Sequence, residues 1–156
     1  MTTRSKKIGF MQGRLSEIID GKIQAFPWDE WQAEFIRASE IGLSIMEWTL
    51  DHENLSQNPI MNPHGRTIID ELSNKYNVHI PSLTGDCFMQ APFWKCTPFK
   101  AKNLLSDFDT ILNSSKEGGI KMVLIPLLDN GSINNKKEED FLYSKCIEFN
   151  DFLKNN

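Results

Sequence analysis

Ser44-Ile-Met-Glu-Trp-Thr49, Asn62-Pro63 and Asn77-Val-His-Ile-Pro-Ser-Leu83 are the stretches that decide how this chain is read. The first and last are short apolar runs of strand length. Between them, Asn62 is a helix cap and Pro63 a first-turn residue, and Ile68, Ile69, Leu72 and Tyr76 then recur at helical spacing. The three together predict a strand–helix–strand unit. Working towards the N-terminus, Lys7-Ile-Gly-Phe-Met11 reads as an earlier strand, and a polar stretch follows to Gln24 with Gly13 and Gly21 as turn residues. A helix then places Trp28, Trp31, Phe35, Ala38 and Ile41 on one face, between Pro27 and Gly42.

Towards the C-terminus, Thr97-Pro98 opens a helix with Ala101, Leu104, Leu105, Phe108, Ile111 and Leu112 on one face, ending at Gly118-Gly119. Ile120 to Leu128 is a nearly uninterrupted apolar strand, of the kind expected when both faces are covered. Lys136 to Leu153 is a last helix burying Leu142, Cys146, Phe149 and Leu153. The βα alternation occurs four times. No linker divides it, so residues 1–156 read as a single domain, and the only low-complexity patch, 134–139, is a helix start.

The 156 residues suit one domain, and 40% apolar content with ten Phe and four Trp is enough to build a core. Seventeen Lys+Arg against 21 Asp+Glu give a net charge of −4, which argues against a nucleic-acid partner held by general phosphate attraction. The basic start Met-Thr-Thr-Arg-Ser-Lys-Lys is followed by too short an apolar run for a signal peptide. The longest apolar run, 122–128, is far below the roughly 20 residues of a membrane span. Cys87, Cys96 and Cys146 form no Cys-x-x-Cys pair. The expectation is a cytoplasmic protein without a membrane partner.

Four βα units imply a parallel sheet, either doubly wound or the first half of an eight-stranded barrel, since a full barrel takes about 200–250 residues. Both architectures bind ligands at the carboxyl ends of the strands. The polar residues there are Gln12 and Arg14, then Glu47, Trp48 and Asp51, then Asp86, Cys87 and Gln90, then Asp129 and Asn130. Glu47 stands between Met46 and Trp48, an apolar setting in which burial would raise its pKa and suit it to proton transfer or hydroxyl binding. The alternative is a strand carboxylate in solvent or paired with Arg14. Arg14 could grip a phosphate or stand as a solvated charge. Asp86 follows Gly85 and either aims inward or closes a turn. Cys87 reads as a small buried thiol rather than a nucleophile. His52, His64 and His79 show no metal-ligand spacing, and His79 belongs near the non-catalytic end of its strand. Phe88, Phe93 and Trp94 could wall a pocket or pack their own loop.

The phrases Ile8-Gly-Phe-Met-Gln-Gly-Arg-Leu15, Ala25-Phe-Pro-Trp-Asp29, Met46-Glu-Trp-Thr-Leu-Asp51 and Pro81-Ser-Leu-Thr-Gly-Asp-Cys-Phe-Met89 resemble the bacterial sugar phosphate isomerase/epimerase family with the xylose isomerase-like TIM barrel. The resemblance runs from about Lys7 to Asp129. It implies an α/β chain equivalent to the N-terminal half of a (β/α)8 barrel, truncated after the fourth unit. The reaction it implies is aldose–ketose isomerisation or epimerisation through an enediolate, assisted in the full-length family by a divalent metal. That metal is held from the later strands, so none is expected on this chain alone, and the isolated chain is expected to show no appreciable turnover. Glu47 is the candidate catalytic carboxylate. Gln12, Arg14, Trp48, Asp86 and Gln90 are candidate substrate-binding residues; Glu47, Asp86, Gln12 and Arg14 are expected to share one cleft and to act as helpers to a base elsewhere. The implied partners are a sugar or sugar phosphate and either a second copy or a complementing C-terminal half. The alternative is a non-catalytic half barrel serving as a sugar-phosphate-binding or assembly module. The related endonuclease branch is disfavoured by the acidic balance.

Overall fold

The computed structural model describes residues 8–18, 21 and 25–155, the side chains of 151–155 excepted. The basic segment 1–7 with Lys7, residues 19–20 and 22–24 of the polar stretch and the burial expected of Leu153 lie outside the described residues. The elements are β1 (Gly9–Met11), α1 (Ala33–Glu40), β2 (Ile45–Thr49), α2 (Pro63–Tyr76), β3 (His79–Thr84), α3 (Asp86–Gln90), α4 (Pro98–Glu117), β4 (Met122–Leu124) and α5 (Lys136–Asn155). The sheet is parallel throughout, in the sequential order β1-β2-β3-β4. Helices α1, α2 and α4 lie in the crossovers between successive strands.

The caps explain the element ends. Asn62 Oδ1 accepts from Gly65 N at 2.7 Å at the start of α2, and Pro63 occupies a position that needs no donor. Gly42 ends α1 with φ +78°, which lets Leu43 N reach back to Ala38 O at 2.8 Å. Helix α1 begins at Ala33 rather than at Trp28. Residues 27–31 form tight turns instead, with Glu30 N and Trp31 N both donating to Pro27 O, and these turns carry Trp31 back to the core. Gly65 admits the turn at 59–61 so closely that a Cβ there would lie 2.2 Å from Pro59 O.

Register fixes which residues share a face. Met11 pairs with Glu47, Glu47 with Ser82 and Ser82 with Met122, so these four form one row across the sheet. Thr49, Thr84 and Leu124 form the next row. On the other face Met46, Trp48 and Leu83 are fully buried. Trp48 packs against Phe26 and Trp31, with ring centroids at 5.5 and 5.7 Å. A second aromatic cluster joins the loop after β3 to the helices. In it, Phe108 of α4 meets Phe88, Phe93 and Phe149 at 4.9, 5.5 and 4.6 Å. Phe88 and Phe93 therefore pack against the helices.

The strand expected over Ile120 to Leu128 is three residues long, and it is not covered on both faces. Met122 and Leu124 are 63% and 50% exposed, on the same face as Glu47. The apolar character of that run reflects a face without helices rather than two covered faces. A sequential parallel order puts successive crossovers on one side of the sheet, which is why the other side lacks them.

Candidate functional site at the uncovered sheet face

Glu47 is half-buried at the middle of β2. Ser82 Oγ donates to its Oε2 at 2.9 Å and Thr84 Oγ1 to its Oε1 at 2.6 Å. Both hydroxyls come from β3, and the parallel register brings them alongside. The carboxylate uses one acceptor site per oxygen here and keeps further lone pairs, while each hydroxyl keeps its own. The apolar enclosure expected from Met46 and Trp48 does not occur. In a strand, neighbours at i±1 point to the opposite face, so those side chains line the core and not the carboxylate.

For the same reason Trp48 is corrected from a ligand contact to a core residue. It is fully buried, and its Nε1 donates to Asn58 Oδ1 at 3.0 Å. Gln12 is also enclosed. Its backbone N donates to Glu47 O at 2.9 Å, continuing the ladder beyond β1, and its Oε1 accepts from Thr49 N at 3.1 Å. It ties β1 to β2 at the strand ends. Arg14 is exposed, and its Nη2 approaches Met11 Sδ at 3.8 Å, which places the guanidinium over the neighbour of Glu47 in its row.

Asp86 and Gln90 lie on α3, a short helix at a place where the sequence suggested only a turn. Asp86 is buried in its first turn. Exposed Gln90 links three strand-end loops. Its Nε2 donates to Asp51 Oδ1 at 2.7 Å, its Oε1 accepts from His52 N at 2.7 Å, and its carbonyl accepts from Asn130 Nδ2 at 3.3 Å. Asp51 Oδ2 accepts from Phe26 N at 2.9 Å, so a fourth segment joins the same rim. The predicted cleft is thus divided. Glu47, with Ser82 and Thr84, occupies the open face, Arg14 stands at its edge, and Gln90 belongs to a rim network that braces the loops. The Glu47 carboxylate accepts from Ser82 and Thr84, while Gln12 bonds the Glu47 carbonyl through its backbone N. Burial pushes the Cys87 thiol far above its ordinary range, and the nearby Asp86 and Asp51 charges add to that, so it is no nucleophile.

The most deeply held carboxyl was not singled out by the sequence. Glu34 of α1 is fully buried, with Oε1 accepting from Gly13 N at 2.9 Å and Leu15 N at 3.0 Å and Oε2 from Gly13 N at 3.0 Å. Burial raises its pKa, partly offset by the Gly13 and Leu15 amides. Its task is to pin the loop that carries Arg14.

His79 is exposed at the start of β3, the end opposite the strand carboxyl termini, and His52 and His64 are exposed in a loop and at a helix start. Among the described residues, no group of three or more His, Cys, Asp or Glu side chains could hold a metal ion. These residues do not fit the divalent metal that the family resemblance implies. No described helix is long and apolar enough to cross a membrane. No protein-family model matches the chain, and no curated protein matches its sequence.

Proposed function

We propose that this chain forms one half of a sugar-phosphate isomerase/epimerase-type barrel, and that Glu47 is the polyol-binding carboxylate of that half. The observation that carries the reading is the cluster of half-buried Glu47 and Ser82 with buried Thr84, on the sheet face whose β4 residues Met122 and Leu124 are exposed. Alternating hydroxyls and a carboxylate offer both acceptors and donors, which matches the edge of a sugar carrying adjacent hydroxyls. Arg14 beside Met11 supplies a cation within reach of the same row, suited to a phosphate. Sequential parallel order and an uncovered face are also what the inner surface of a half barrel requires. In this reading Glu47 orients a substrate hydroxyl and can exchange a proton with the carbon that bears it.

The test is titration with ribose 5-phosphate, followed by amide chemical shifts. Shifts are expected at Glu47, Ser82, Thr84 and Arg14, and Glu47→Ala should weaken binding by roughly tenfold or more, since hydrogen bonds to charged groups contribute about 1.5–3 kcal/mol. Deuterium exchange at the carbon beside the carbonyl separates chemistry from binding alone. Shifts confined to other surfaces, or none, would remove the reading.

The finer part of the proposal is that a second copy supplies the opposite wall. Among the described residues β1 and β4 are the edge strands of the sheet, and a twofold axis parallel to the strands would set each β4 beside the partner's β1. Sedimentation should show a dimer that Leu124→Glu, on the uncovered face, dissociates. A monomer with unchanged cooperative unfolding would reject the self-pairing.

A further inference from the structure

We infer that the groove between α4 and α5 binds a small amphiphilic anion, an acid group carried on an apolar body. The groove has a volume of about 700 Å3, within the roughly 300–1,000 Å3 of ligand pockets. It lies among the helices, apart from the Glu47 face. Its floor is Trp94, Leu105 and Phe141, with Pro98 and Ala101 continuing it along α4. Pro98, Ala101, Lys102 and Leu105 fall on one helical face at spacings of three and four, and Lys137, Phe141 and Lys145 do the same on α5.

The rim has the sign opposite to that of the molecule. Lys95, Lys102, Lys137 and Lys145 border the groove in a chain of net charge −4. Among the described residues no carboxylate lies within ion-pair distance of Lys95, Lys102 or Lys137, while Lys145 pairs with Glu148. Glu138, the acidic residue of the lining, is committed elsewhere. It accepts from Asn134 N at 2.9 Å and from Asn135 Nδ2 at 2.8 Å at the start of α5, where helix polarity favours its charge. Trp94, 5% exposed, belongs to the apolar part of the lining. An apolar floor ringed by cations excludes neutral hydrocarbons and cationic amphiphiles as the preferred class, because only an anion uses both parts of the site.

Decanoate below its micelle concentration is the probe, with decylammonium and acetate as controls, followed by tryptophan fluorescence and amide shifts. The expected result is saturable binding of decanoate alone, with shifts at Trp94, Leu105 and Phe141. Lys102→Glu combined with Lys137→Glu, both on exposed side chains, should weaken it by roughly tenfold or more while leaving the unfolding curve in place. Glu47→Ala should leave it unchanged, which separates this site from the sugar-binding reading. Equal binding of decylammonium, indifference to the double charge reversal, absence of saturation, or stronger binding of an acidic leucine-rich peptide that competes with decanoate would each overturn the assignment.

Discussion

Trp48→Ala is expected to cost about 3–5 kcal/mol of stability, the range for removing a fully enclosed large aromatic side chain. Trp48 has no exposed surface, stands between Phe26 and Trp31, and donates its indole N–H to Asn58. Alanine removes both ring contacts and opens a cavity at the junction of the β2 core face with the turns that follow Phe26. It also strips Asn58 Oδ1 of one of its two donors, leaving Ile60 N at 3.2 Å. Trp48→Phe keeps an aromatic ring against Phe26 and Trp31 and loses the indole hydrogen bond, so its cost should fall to roughly 1–2 kcal/mol. Urea unfolding of both variants measures this. The pair also tests which face the residue serves, because a core tryptophan predicts that folded Trp48→Phe binds ribose 5-phosphate as the parent does. A phenylalanine variant of unchanged stability and lost binding would return Trp48 to the ligand side.

The βα order could be read from the sequence because its signals are local. Asn62-Pro63 and Thr97-Pro98 each mark a helix start, and the helical spacing from Ala101 to Leu112 needs no tertiary information. Which face of the sheet stays uncovered was not legible, since Met122 and Leu124 carry the same apolar signal whether a helix or nothing lies against them. The same limit applied at Glu47. Its neighbours in sequence are apolar, but the alternation of a strand sends Met46 and Trp48 to one side and the carboxylate to the other. Its real neighbours, Ser82 and Thr84, are 35 and 37 residues away and depend on register. Resemblance of the phrase Met46-Glu-Trp-Thr-Leu-Asp51 favoured all of its polar and aromatic members together. Only geometry separates a core tryptophan from a face carboxylate. Gln90 likewise lay in a plausible strand-end position, and its bonds to Asp51 and His52 show a brace between loops that no local pattern encodes.

Glu34 is the clearest case of a residue whose role is invisible along the chain, because in Ala33-Glu-Phe-Ile it looks like an ordinary helix acid. It is the buried acceptor for the amides of Gly13 and Leu15, 21 and 19 residues earlier. Glu34→Ala leaves those two N–H groups without a partner, and at about 1–3 kcal/mol for each unsatisfied donor the expected loss is about 3–5 kcal/mol. Glu34→Gln keeps one oxygen for both amides and should lose less, so the two variants together separate the hydrogen bonds from the charge. The pH dependence carries a definite sign. Burial raises the folded-state pKa of Glu34 above its ordinary value of 4.5, so between the two values the folded chain holds a proton that the unfolded chain has released. Stability from this group is therefore greatest in acid, falls as pH rises through that window, and is flat above it. Relative to Glu34→Gln, the parent should gain stability as pH is lowered from about 7 towards 4, read from urea midpoints at constant slope. A parent that instead loses ground to Glu34→Gln on acidification would show that the Gly13 and Leu15 amides outweigh burial, and that the loop carrying Arg14 is held by a carboxylate rather than by a carboxylic acid.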